Sequence, residues 1–253
     1  GGLLAFRGTQ SINNETINLA SSANLTVDQL GSVVTLGSGV LVQGSGGVAT
    51  TQLIVGGAAS LINQGIIRGN LSGQTLSIGF NNITLTNSGT IESTNGATVT
   101  INGNWTSPGL LRVATAASTL NIGGTITSGG LGNFDNAAGG ALNLTGTLTN
   151  TGTTLDFAPG GVARGSMTMN GGTIIGGIIQ DSAAQSSVLR FTTNSNNTLN
   201  GVELRGDLNI GSNSLQISNG LTLRNEANTG NGTANVANGG LLAFRGTQSI
   251  NNA

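Results

Sequence analysis

The residues able to do acid–base, nucleophilic or metal chemistry are few in this chain. There is no His, Cys or Tyr, and all eight basic residues are Arg, so Lys is absent as well. The usual general bases and nucleophiles are therefore missing, and only carboxylates and hydroxyls remain. The nine acids are Glu15, Asp28, Glu92, Asp135, Asp156, Asp181, Glu203, Asp207 and Glu226, widely separated along 253 residues. Asp135 and Asp156 are close enough to one structural repeat apart to share a face. Two carboxylates about 5–10 Å apart would be the arrangement a glycosidase needs. The bland reading, two solvated turn acids, stands beside it.

Three further motifs carry a chemical possibility. Arg205-Gly206-Asp207 is an RGD tripeptide between Leu204 and Leu208, a candidate receptor-binding turn. Five of the eight arginines precede glycine (Arg7, Arg68, Arg164, Arg205, Arg245), so Arg-Gly is a local habit and the tripeptide needs only one further coincidence. Gly129 to Asp135 approaches the glycine-rich nonapeptide of calcium-binding β-rolls, but Phe134 stands where a ligand should be and no second tandem copy follows. The sequence therefore assigns no metal ligand, no cofactor site and no catalytic residue, and the chain is not expected to be an enzyme. Thr-x-Thr pairs such as Thr98/Thr100 suit a flat ice-binding face only if they recur on every repeat, and they do not. Trp105 and the six Phe are too few for a sugar-binding platform and are expected in the core.

The elements that would position these residues are short strands. Apolar residues alternate in Ile17/Leu19, Leu25/Val27, Val34/Leu36 and Val40/Val42, the period-2 pattern of one face in and one face out. Gly, Asn and Ser break the runs where the chain must bend, Gly and Asn being suited to positive φ. From residue 61 a theme recurs: LINQGII (61–67), LTNSGTI (85–91) and LTNTGTT (148–154). Taking the turn glycines as anchors yields about eleven steps of about 22 residues, a solenoid period. A glycine content of 44 residues argues against helical repeats, since each helical Gly costs about 1 kcal/mol.

The expected fold is all-β: a right-handed parallel β-helix whose strands pair with their equivalents one coil away. Inward residues should stack as ladders, Leu76, Ile78, Phe80, Ile83 and Leu85 in one place and Leu215, Ile217, Leu221 and Leu223 in another. Asn side chains at the turns should form polar ladders, because buried amides need partners. Pro108 and Pro159 fall in turns.

A longer repeat overlies the short one. Residues 1–14 and 239–252 both read GGLLAFRGTQSINN, identical and in register throughout. We therefore expect residues 1–253 to be one continuous solenoid segment, with 1–238 one tandem period and 239–252 the opening of the next. Further copies end to end would be the natural partners, with lateral self-association a second mode.

Charge excludes other classes. Net charge is −1 and charged residues make up 7 % of the chain, far below the usual quarter or so. There is no basic patch for nucleic acid and no apolar run of about 18 residues to span a membrane.

The phrases TLTNSGTIEST (84–94), ATVTINGNW (97–105) and ALNLTGTLTNTGTT (141–154) resemble the passengers of bacterial surface adhesins. They are similar to the filamentous haemagglutinin and autotransporter group and to giant bacterial β-strand-repeat proteins. The resemblance implies a secreted, cell-surface protein with a stalk, fibre or adhesin role. The alternatives to a structural segment are a carbohydrate-active β-helix of the tailspike depolymerase type and a receptor- or glycan-binding adhesin module.

Overall fold

Alternation is realised as short strands, most of them three to five residues long, that pair with one another in parallel. The computed structural model describes all residues except 53–55, 80–81, 137, 183–187, 249 and 252–253. Its architecture is a parallel β-solenoid of about ten turns; among the described residues helix is confined to Ser128–Leu131 and a 3-10 turn at Pro159–Gly161. Two compact units are present: Gly1–Ile126 with Gly130–Leu142, and Thr127–Gly129 with Asn143–Ala253.

In the first unit each coil carries three strands. One face stacks Leu3–Phe6, Asn24–Val27, Gly46–Val48, Thr75–Ile78, Thr98–Ile101 and Thr119–Ile122. The next stacks Gln10–Ile12, Val33–Leu36, Ala59–Asn63, Ile83–Asn87 and Trp105–Thr106. The third stacks Thr16–Leu19, Leu41–Gly44, Ile66–Gly69, Thr90–Ser93, Leu110–Val113 and Asn133–Asp135. Register keeps like parity together, so Val34, Leu61, Leu85 and Trp105 form one buried column. Leu76, Ile78, Ile83 and Leu85 are buried as expected; Phe80, expected in the same ladder, lies outside the described residues.

The second unit uses the same device with longer strands. Thr198–Arg205 and Ser214–Arg224 each run through a corner and serve two faces. Their register shifts between Asn200 and Val202, where Gly201 faces two residues, Asn219 and Gly220. All three have positive φ, the left-handed backbone that lets a strand turn without ending. Leu215, Ile217, Leu221 and Leu223 point inward and are buried.

Two expectations are refined. Coil length is not uniform: Thr198 lies opposite Gln216 across a short coil, and Gly47 opposite Ser77 across a much longer one. The coils number about ten. Nor do all turn glycines supply positive φ. At Gly65, Gly89 and Gly109 a Cβ would lie 2.1–2.2 Å from a carbonyl oxygen of the coil before. These glycines let successive turns approach, which is a steric demand across coils and not a local one.

Candidate functional site

The outward positions of the third face in the first unit carry most of that unit's charge. Asn18, Gln43, Arg68, Glu92, Arg112 and Asp135 occupy the same register on six successive coils. Gln43 Nε2 donates to Asn18 Oδ1 at 2.9 Å and Arg68 Nε to Glu92 Oε1 at 2.5 Å. Arg112 lies 3.9 Å from Glu92 Oε2 and 3.5 Å from Asp135 Oδ2. Alternating sign along the row places each carboxylate beside a guanidinium. The four charged positions are unevenly spaced in the sequence because they follow the local coil lengths, and only the register reveals the row.

A second polar column is internal. Asn63 and Asn87, from the LINQG and LTNSG motifs, are opposite one another and fully buried. Asn63 Nδ2 donates to Asn87 Oδ1 at 2.7 Å, and Asn87 Nδ2 donates to Ser107 Oγ at 2.9 Å. The amide ladder expected at the turns is thus present. It begins at Asn63, because the preceding coil has Leu36 at that register, and Asn63 Oδ1 is buried without a hydrogen-bond partner.

Asp135 and Asp156 fall in different units, each among its own partners. Asp135 turns toward Arg112. Asp156 accepts from Gln180 Nε2 at 3.0 Å, from the Ser182 hydroxyl, and from the backbone N–H groups of Ala158 and Ser182 at 2.9 and 3.1 Å. Burial alone would raise its pKa; these donors outweigh it and hold the carboxyl below its ordinary value. A general acid working near neutral pH needs the opposite shift.

Arg205, Gly206 and Asp207 form the corner between the strands Thr198–Arg205 and Leu208–Gly211. Arg205 Nε donates to Glu203 Oε1 at 2.7 Å and Nη1 to Gln180 Oε1 at 3.2 Å. Arg224 Nε lies 3.7 Å from the same Glu203 oxygen. Gly206 has φ +117° and its N–H donates to Arg224 O at 2.8 Å. Asp207 is exposed. The tripeptide therefore offers one exposed charge, Asp207, while its arginine is engaged within the coil surface.

This corner borders a cleft of about 500 Å³ whose lining includes Asp181, Leu189, Phe191, Arg205, Asp207 and Glu226. Asp181 is buried and Glu226 exposed. Along the sequence these three acids look unrelated. The steps between them follow the local coils, which set Ile179 opposite Leu204 and Val202 opposite Leu221. The cleft combines an apolar wall with carboxylate rims, a surface suited to hydroxyl-rich or cationic groups.

No metal cluster accompanies it: among the described residues no three His, Cys, Asp or Glu side chains converge. In the Gly129 to Asp135 stretch, Asn133–Asp135 is a strand and Asp135 faces Arg112. Trp105 is buried, with Nε1 donating to Gly123 O at 2.9 Å, as a core residue should. No helix among the described residues is long and apolar enough to cross a membrane. Compared with known protein families, curated proteins and solved structures, the chain matches none.

Proposed function

We propose that this chain is a structural segment of an extracellular fibre, filament or adhesin stalk built from tandem solenoid repeats. The carrying observation is that each coil repeats one design, parallel pairing over a buried aliphatic slice. Such contacts are nearest-neighbour, so each added coil contributes its own interface and stability accumulates with coil number. The charges support a mechanical and non-catalytic role: Glu92, Asp135 and Glu203 are each set against arginine, and Asp156 is enclosed by donors. The resemblance of the strand phrases to bacterial surface adhesins supports a secreted location. Electron microscopy of chains carrying one, two and four copies of the period 1–238 tests the reading. Particle length should rise in proportion to copy number; compact particles whose length ignores copy number would overturn it.

The cleft at Asp181, Asp207 and Glu226 favours a second reading, an adhesin module that takes a receptor or glycan there. Asp207→Ala should abolish attachment to a cell or glycan surface that the unaltered chain binds. Equal attachment by both would remove this reading and leave the structural one untouched.

A further inference from the structure

The described residues of the two copies of GGLLAFRGTQSINN share their local features in two different settings. Leu3–Phe6 and Leu241–Arg245 are strands. Gly8 and Gly246 turn with φ of 75° and 74°. Gln10 Nε2 donates to Arg7 O at 2.8 Å, and Gln248 Nε2 donates to Arg245 O at the same distance. The first copy has its strand partner on the following side: Leu3, Leu4, Ala5 and Phe6 lie opposite Asn24, Leu25, Thr26 and Val27. The second has its partner on the preceding side: Leu241, Leu242, Ala243 and Phe244 lie opposite Ser214, Leu215, Gln216 and Ile217.

The two half-environments are complementary. Leu25 and Val27 are buried opposite Leu4 and Phe6, and Leu215 and Ile217 are buried opposite Leu242 and Phe244. The next strand agrees in the same way: Ile12 lies opposite Leu36, and Ile250 opposite Leu221. Half of the large apolar side chains left exposed among the described residues belong to this segment: Leu3 at 36 %, Leu4 at 43 %, Leu241 at 50 % and Phe244 at 47 %. Exposed apolar strand edges of this kind call for a partner.

We infer that the strand Leu241–Arg245, with its flanking Gly240 and Gln248, is a shared rung between two copies of this chain. The open side of Leu241–Arg245 is a docking edge for Asn24–Val27 of a second copy, in the register that strand has on Leu3–Phe6. Asn24 then faces Leu241, Leu25 faces Leu242, Thr26 faces Ala243 and Val27 faces Phe244. Polar contacts of the first coil transfer with it. The carbonyl of Gly2 accepts from Asn24 N–H at 2.9 Å, that of Phe6 from Asp28 N–H at 2.9 Å, and Gly8 N–H donates to Gln29 Oε1 at 2.9 Å. Gly240, Phe244 and Gly246 occupy those roles at the seam. Arg245 replaces Arg7, which lies 3.9 Å from the buried carboxylate of Asp28. Gln248 keeps its bonds to the coil below, donating to Ile217 O at 2.7 Å and accepting from Gly220 N–H at 3.0 Å. One segment satisfies both neighbours only if they are consecutive coils, so successive periods merge without a linker.

This inference rests on the tandem-fibre reading and sharpens it. The test uses a continuous chain of two periods, which is free of native cysteine. Paired cysteines are placed at Leu241 and at Asn24 of the second copy, and the chain is mildly oxidised. Neighbouring parallel rungs lie about 4.8 Å apart, within disulfide range, whereas a shift of two residues along the strand exceeds the roughly 7 Å limit. Leu241→Cys with Asn24→Cys should cross-link nearly completely, and Leu241→Cys with Thr26→Cys should not. Ser214→Cys with Leu241→Cys is the positive control, a pairing already present within residues 1–253. If the control forms and the 241–24 pair does not, in a chain that is elongated by sedimentation, the shared rung is wrong and the fibre reading stands as separate beads. A two-period chain no longer than one period overturns both.

Discussion

Glu92 sits one coil beyond Arg68 and accepts its Nε–H at 2.5 Å, with only 8 % of the glutamate side chain exposed. Arg112 closes from the other side at 3.9 Å. Removing the charge takes this counter-ion from Arg68 and leaves Arg112 to Asp135 alone. Glu92→Gln should lower stability by about 1–2 kcal/mol, above the level of an exposed pair because the acid is nearly buried. Denaturant unfolding of Glu92→Gln, Arg68→Ala and the double variant checks it. Strict additivity of the two single changes would show that the pair contributes nothing.

The buried amide column should be more sensitive than its exposed counterparts. Asn87→Ala removes an acceptor for Asn63 and the donor to Ser107 and to Leu110 O, and loss of these buried hydrogen bonds should cost about 1–3 kcal/mol. Asn235→Ala removes a hydrogen bond of similar length, 2.8 Å to Asn209, but at an exposed site, and should change stability by less than about 0.5 kcal/mol. Thermal unfolding of the two variants ranks them; equal effects would deny the column its structural role.

Glycines at the turns should separate into two classes. At Gly89 a Cβ would lie 2.1 Å from the carbonyl oxygen of Gly65, so Gly89→Ala must push coils apart and should cost about 2–3 kcal/mol. Gly152 has φ +73° but open space around it, so Gly152→Ala carries only the left-handed backbone penalty of about 1 kcal/mol. The reverse order in measured melting temperatures would refute the close-approach account.

Acid should act through Asp156. Its folded pKa lies below the ordinary value of 3.8, so its contribution to stability is full above that value and disappears as pH falls through the lower folded one. Asp156→Asn should therefore melt below the unaltered chain at neutral pH, and the gap should narrow at pH well below 3.8. A gap that widens on acidification would contradict the hydrogen-bond account of the shift.

The alternation of Leu25 with Val27, or of Leu215 with Ile217, is legible in the sequence because strand parity is local: each residue's face follows from its neighbours along the chain. The Asn-Gly turn theme is legible for the same reason, and with it the amide column, since a buried Asn must find a partner and the next coil supplies the same residue. Duplication of residues 1–14 at 239–252 is legible by inspection. The charged row from Arg68 to Asp135 is not, nor is the gathering of Asp181, Asp207 and Glu226 about one cleft. Both depend on which residues become neighbours across coils. The coil from Gly47 to Ser77 takes far more residues than the one from Thr198 to Gln216. No constant period can therefore be read off the chain, and register is set by how each slice of core packs on the one before. The same holds for Gly89, whose small size is demanded by the Gly65 carbonyl one coil away. Sequence thus determined the strands, the turns and the kind of object they build. Tertiary structure decided which charges meet, which glycines are indispensable, and how the repeated segment can face two neighbours in one register.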